Sequence, residues 1–244
     1  MPNPYFKFKQ FTIWQNRCAM KVTTDACLFG AIQGLEAENL NLKIENALDI
    51  GTGTGLLALM FAQKVPDVQI DAIEIDTPAA EQARENIIAS PWKERIHIIH
   101  ADAKEYRFSK KYDLIFSNPP FYENDLKTEE EQKNTARHSH HLKLEELLVI
   151  IKNNLKPEGF FSLLLPYKRS DEIKKLLSKK EFAILKMILF RQSVNHDYFR
   201  IMLTGKNNPA GKEEIRIEEI AILNDSEQYT PEFIRLLKDY YLYL

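Results

Sequence analysis

From Ala47 to Pro166, short apolar runs alternate with helical stretches, and this rhythm restricts the possible folds more than any other feature of the chain. Strands that are apolar on both faces must be covered on both, and parallel neighbours must be joined by crossovers. The alternation therefore implies an α/β fold, a mostly parallel sheet with helices on each side. The expected strands are Ala47–Ile50, Gln69–Glu74, Ile96–His100, Asp113–Ser117 and Phe160–Leu165. Between them, a helix carries Leu56, Leu57, Leu59, Met60 and Phe61, and a second runs from Pro78 to about Ser90. A third, Glu145 to Leu155, is stopped by Lys156-Pro157-Glu158-Gly159 before the fifth strand. A lysine-rich helix at about Asp171–Lys180 and β-like runs at Ala183–Phe190 and Phe199–Thr204 follow. They complete a seven-stranded sheet with an antiparallel C-terminal edge.

Ahead of this core, Thr23 or Thr24 caps a helix from Asp25 to about Gly34, with Asp25 near its positive end. After it, Asn207 to Lys212 is a polar loop, and Ile215–Ile222 with a helix from about Pro231 to Tyr243 is an appendage on the same core. One domain over 1–244 is expected, divided into an N-terminal extension and first helix (1–46), a catalytic core (47–206) and the appendage (207–244). The 44% hydrophobic and 28% charged content fits one sizeable core and excludes a disordered chain. No uncharged apolar run approaches the roughly twenty residues a bilayer crossing needs, and Met1 to Lys9 lacks a secretory apolar stretch. Cys18 and Cys27 have no CxxC spacing, which fits a reducing compartment, so no membrane association and a cytoplasmic location are expected.

The net charge of −2 argues against indiscriminate coating of nucleic acid, so any basic surface must be local. Lys7, Lys9, Arg17 and Lys21 precede the first acid, Asp25, and are interleaved with Phe6, Phe8, Phe11 and Trp14. Two readings stand: a segment that binds RNA, or an edge strand with packed aromatics and solvated lysines.

The run Leu48-Asp49-Ile50-Gly51-Thr52-Gly53-Thr54-Gly55-Leu56 ends a strand in glycines and opens a helix, and Glu74 ends the next strand about twenty residues on. Glycines let the backbone approach a ligand, and an acid at that distance suits the hydroxyls of a ribose. GxGxG lacks the GxGxxG spacing used for a pyrophosphate, which turns the choice away from NAD. Asp102, in Ala101-Asp102-Ala103, ends the third strand. This set resembles the first motifs of class I methyltransferases, Rossmann-like enzymes that use S-adenosylmethionine. The resemblance implies that Asp49 helps hold the amino-acid end of that cofactor, that Gly51, Gly53 and Gly55 border it, and that Glu74 binds its ribose. It further places Asp102 and Ala103 at the adenine, with Lys21 and Asn118 also in the cofactor pocket.

At the end of the fourth strand stands Ser117-Asn118-Pro119-Pro120-Phe121-Tyr122. Each proline fixes its own φ, and Pro119 also keeps Asn118 out of the helical region, so the turn is stiff. The Asn118 amide oxygen and the Pro119 carbonyl are suitable acceptors for the two N–H bonds of a weakly nucleophilic planar amine. Phe121 can stack on a flipped base, a contact worth roughly 1–3 kcal/mol. Neither a metal nor a dedicated general base is expected. Asn118, Pro119, Pro120 and Phe121 resemble the fourth motif of amino methyltransferases acting on adenine, guanine or glutamine, which leaves the substrate open.

The whole chain resembles the tRNA1(Val) adenine-N6 methyltransferase family, which modifies the adenine 3′ of that tRNA's anticodon. The resemblance rests on Phe8-Lys9-Gln10-Phe11, Arg17 to Asp25, Asn86 to Trp92, Thr135-Ala136-Arg137-His138 and Tyr240 to Leu244. Phe121 stands where the family often has tyrosine. The resemblance implies a monomeric enzyme with tRNA as partner; Phe121, Tyr122, Arg137, Lys7 and Lys9 are the substrate-side residues. Arg137 suits a phosphate or an ion pair with Glu130 or Glu131, and Tyr122 suits the base pocket or the core. His138-Ser139-His140-His141 has no nearby cysteine or spaced carboxylates and reads as a solvent-facing loop rather than a metal site. Two competing functions are methylation of an rRNA guanine or a protein glutamine, and a non-catalytic module that keeps the cofactor pocket.

Overall fold

The computed structural model describes residues 3–39, 43–119, 142–207 and 214–244. In chain order the elements are β1 (Tyr5–Lys7), β2 (Thr12–Trp14), α1 (Thr24–Asn39), β3 (Asn46–Ile50), α2 (Leu56–Lys64), β4 (Gln69–Glu74), α3 (Thr77–Ile88), β5 (Ile96–His100), β6 (Tyr112–Ser117), α4 (Leu144–Asn154), β7 (Leu155–Pro166), α5 (Ser170–Lys179), β8 (Phe182–Ser193), β9 (Tyr198–Asn207), β10 (Arg216–Leu223) and α6 (Pro231–Leu237). The main sheet has the order β10-β8-β9-β7-β6-β3-β4-β5, and β9 alone runs against the rest. The chain leaves β3 for β4 and β5 on one side and returns to β6 on the other. The strand order thus reverses at β3, and the crevice beyond the C-terminal ends of β3 and β6 is where such sheets bind ligands.

The sheet has eight strands rather than seven, because the stretch taken as appendage, β10, hydrogen-bonds in parallel to β8. Its residues read poorly as a strand since Arg216, Ile217, Glu218 and Glu219 are all exposed, leaving little alternation to detect. The fifth core strand also starts earlier than expected, at Leu155. Tyr112 pairs with Leu155 and Leu114 with Phe160, so the Pro-Gly stretch that ends α4 is carried as a bulge at the head of β7.

Cores fill both faces. On one, α1, α2 and α6 cover Ala47, Ile70, Leu114, Phe116 and Leu164; on the other, α4 and α5 bury Leu147, Ile151, Ile173 and Leu177 against Ile50, Ile115, Leu163 and Leu165. α1 runs past Gly34, where the sequence suggested a stop. A Cβ on Gly34 would lie 2.7 Å from the Lys64 Cβ, and one on Gly30 2.8 Å from the Met60 sulfur, so these glycines let α1 and α2 approach closely. Asp25 in its first turn is 8% exposed and accepts a hydrogen bond from Arg200 Nε at 2.8 Å, so a cation partners it as well as the helix end.

β1 and β2 form a separate antiparallel hairpin. Phe8, Phe11 and Ile13 are buried, and the hairpin is tied to the end of the chain: Lys9 N–H donates to the Tyr240 carbonyl at 2.8 Å, and Phe8 bridges Tyr241. Tyr240 is fully buried, its hydroxyl donating to the Met60 carbonyl at 3.1 Å. α6 ends at Leu237 rather than Tyr243, so the aromatic tail is a latch and not a continued helix. Among the described residues no helix is long and apolar enough to cross a membrane.

Candidate active site

β3 and β6 are adjacent and parallel, Asp49 lying opposite Phe116, so the glycine turn after Ile50 and the Asn118-Pro119 turn after Ser117 emerge side by side on one rim. The Ser117 hydroxyl fixes their relation by donating to the Ile50 carbonyl at 2.6 Å, with both groups buried. Asn118 is half-buried and Pro119 buried. Pro120, Phe121, Tyr122 and Arg137, with His138, His140 and His141, lie outside the described residues.

Gly51, Gly53 and Gly55 have φ of 72°, 57° and 82°, the left-handed region in which a Cβ is strained. Gly51 N–H and Thr52 N–H both donate to the Ile73 carbonyl, at 2.9 and 3.1 Å, which folds the turn against the end of β4. A Cβ added to Gly51 or Gly53 would meet no atom within 4 Å, so the glycines face open space. Asp49 is fully buried beneath them. Its Oδ2 accepts the Thr52 hydroxyl at 2.6 Å, while Oδ1 has no hydrogen-bond partner. Burial, and then the charge of Glu74, push its carboxyl up to about 7, with Thr52 and Ala58 pulling the other way. A buried carboxylate with an unpartnered oxygen below a glycine turn that faces open space fits a cationic, hydrogen-bonding ligand end.

Glu74 organises the neighbouring corner. Its Oε2 accepts Gly53 N–H at 2.9 Å, and Oε1 accepts Ile75 N–H and Asp76 N–H at 2.9 and 3.0 Å. The carboxylate is therefore held still, with lone pairs left for further hydroxyl donors. Asp102 follows β5, where Ala101 N–H donates to the Glu74 carbonyl at 3.0 Å, which brings the third strand end to the same corner. Asp102 Oδ1 accepts Lys104 N–H at 2.9 Å, and Asp102 and Ala103 are both half-buried.

The N-terminal loop closes one side of this corner. Burial, and then the charge of Glu74, push the Cys18 thiol in this loop up to about 11. Gln15 shapes it, its Oε1 accepting Val22 N–H at 2.8 Å. The Lys21 ammonium donates to the Gln15 and Cys18 carbonyls, so it braces the loop beside the pocket. Of the lysines read as substrate contacts, Lys7 is exposed and Lys9 donates to the Lys238 carbonyl, which engages it within the latch. Arg17 is paired with Glu85 at 3.0 Å.

Asn86 was not among the site residues read from the sequence. It is 1% exposed, its Nδ2 donates to the Trp14 and Thr54 carbonyls, and its Oδ1 accepts Trp14 N–H, all at 2.9 Å. It staples the hairpin to the glycine turn; the sequence signals were its place in the Asn86 to Trp92 stretch and an asparagine among alanines and Ile87 on the buried face of α3. Among the described residues no group of three or more His, Cys, Asp or Glu is placed to hold a metal ion.

Residues 32–186 match the methyltransferase small domain family. Over 247 residues, and the full length of both chains, the sequence is 39% identical to a Bacteroides thetaiotaomicron protein named tRNA1(Val) (adenine(37)-N6)-methyltransferase. The fold is similar to that of a predicted O-methyltransferase from Agrobacterium tumefaciens, with a TM-score of 0.62 at 17% identity, covering 88% of this chain and 96% of that one. It is also similar to the glycopeptide N-methyltransferase MtfA complexed with S-adenosylmethionine, with a TM-score of 0.54 at 11% identity, covering 72% and 93%.

Proposed function

This chain belongs to the tRNA1(Val) (adenine(37)-N6)-methyltransferase family, and from that premise we propose that it methylates N6 of an adenine in tRNA, the base 3′ of the tRNA1(Val) anticodon, in the cytoplasm. The observation that carries the reading is the shared rim: the glycine turn after β3 and the Asn118-Pro119 turn after β6 stand next to each other, joined by the Ser117 to Ile50 hydrogen bond.

S-adenosylmethionine, when bound, supplies an electrophilic sulfonium methyl. Asp49 Oδ1 and the Gly51 to Gly53 turn would hold its amino-acid end, Glu74 its ribose and the Asp102-Ala103 turn its adenine. Asn118 and Pro119 carry the role of orienting the target amine. An exocyclic amine delocalises its lone pair into the ring, and acceptors on both N–H bonds help to localise it towards the methyl. Because the turn is stiff before the substrate arrives, the acceptors need little reorganisation. The amine becomes strongly acidic only after transfer, so its proton can pass to solvent without a dedicated base. The roles of Pro120, Phe121, Tyr122 and Arg137 in closing on and stacking the base rest on the sequence.

Incubation with labelled cofactor and total cellular RNA, followed by nucleoside analysis, is expected to give N6-methyladenosine in tRNA. Label in guanine of ribosomal RNA, or in protein, would replace the adenine reading. In Asn118→Ala, turnover should fall on the order of 10²-fold with cofactor affinity changed no more than about twofold. Unchanged turnover would remove Asn118 from the reaction.

A further inference from the structure

A cavity of about 460 Å³ lies between the second half of α1 and the sheet, within the size range of small-molecule pockets. Its floor, at Leu114 of β6 and Phe160 of β7, is three residues back along the strands from Ser117, or roughly 10 Å below the catalytic rim. The cavity is therefore separate from the glycine turn and the Asn118-Pro119 turn.

Its existence follows from an irregularity in the sheet. Ile184 pairs with Gly205 and Lys186 with Thr204, which leaves Leu185 as an extra residue that bulges and lines the cavity. Gly205 cannot carry a side chain that might compensate, since a Cβ there would lie 2.5 Å from the Ala183 carbonyl oxygen.

Of the polar residues in the lining, Gln33 on α1 stands out. It is 4% exposed, and neither its Nε2 nor its Oε1 has a hydrogen-bond partner. A buried amide normally has partners for both ends. Ser162, also in the lining, hydrogen-bonds Thr204 at 3.3 Å and not Gln33. A donor and an acceptor side by side on one planar group are matched by another group of the same kind, as when glutamine pairs with the edge of adenine. At the margin, Lys186 is held by Glu36 at 2.8 Å and Glu218 at 2.9 Å, so a charged ligand would meet both signs at once.

We propose that this cavity is a second ligand site, which takes a small, uncharged, planar molecule through an amide-type edge paired with Gln33. The site does not depend on the methyl-transfer reading. The probe is nicotinamide, titrated into the full-length protein with saturating S-adenosylhomocysteine present, so that binding at the cofactor corner is blocked. Side-chain and backbone amide resonances are followed by NMR. Saturable shifts at Gln33, Ser162 and Leu185 are expected with a roughly millimolar dissociation constant, as befits a fragment of about nine heavy atoms. Toluene, which has the ring without the amide, should bind at least about tenfold more weakly, and Gln33→Leu should abolish nicotinamide binding. Gln33→Leu should melt no lower than the parent and still bind S-adenosylhomocysteine, which separates loss of the site from loss of the fold. The proposal is overturned if nicotinamide leaves these resonances unmoved, if toluene binds equally well, or if Gln33→Leu binds nicotinamide unchanged.

Discussion

Replacing Asn86 should weaken both the fold and the cofactor corner, because a single buried side chain satisfies three backbone groups on two separate segments. In Asn86→Leu the volume is roughly kept, so the loss is mainly of hydrogen bonds. The Thr54 carbonyl is buried and would be left without this partner, which costs about 1–3 kcal/mol; the two Trp14 groups are only partly buried and can be rehydrated, at about 0.5–1.5 kcal/mol each. The sum is a destabilisation of about 2–6 kcal/mol in urea titrations. Asn86→Asp should be at least as damaging, since a carboxylate would face the Trp14 and Thr54 carbonyls in place of the donating amide. Cofactor affinity, measured by calorimetry on protein still folded, should fall as well, because Thr54 sits between Gly53 and Gly55 in the turn. A loss below about 1 kcal/mol in both variants would refute the staple.

Asp49→Asn offers a test by pH. The carboxyl is raised from 3.8 unfolded to about 7 folded, so the native state binds the extra proton between those values and loses stability as pH rises through them, at up to about 1.4 kcal/mol per unit. The asparagine variant should gain on the parent from pH 4 to pH 7 and level off above, while binding the cofactor more weakly; an equal difference at pH 5 and pH 8 would contradict the burial argument. Gly53→Ala should cost the free protein only about 1–2 kcal/mol, for the left-handed backbone, but reduce cofactor binding further, because its Cβ points into the open space. Equal effects on stability and binding would argue against a ligand in that space.

Much of the parallel sheet behind the candidate site was legible in the sequence because its signals are local. Gln69–Glu74 and Ile96–His100 were read with the boundaries the fold shows, and the strand ending at Ser117 was one residue short. What escaped depends on contacts distant in the chain. Gly34 has the look of a helix end, and only the proximity of Lys64 makes it a packing residue. β10 gains its place from pairing with β8 rather than from its own pattern. The lysines among the N-terminal aromatics left an RNA-binding segment and an edge strand both open, and the partner of Lys9, a carbonyl more than two hundred residues away, was not visible in the sequence. Asn86 could be seen in the sequence, but its partners on the hairpin and the glycine turn could not.

The latch between Phe8 and Tyr241 joins residues more than two hundred positions apart, so it carries a large loop-closure entropy and belongs to the late, non-local steps of assembly. Until it forms, Phe8 and Phe11 lack part of their cover, and removing Tyr240 to Leu244 should harm solubility out of proportion to the mass removed. A circular permutant that links Asn3 to Leu244 through a short linker should fold faster, since the most distant encounter would become a neighbourly one.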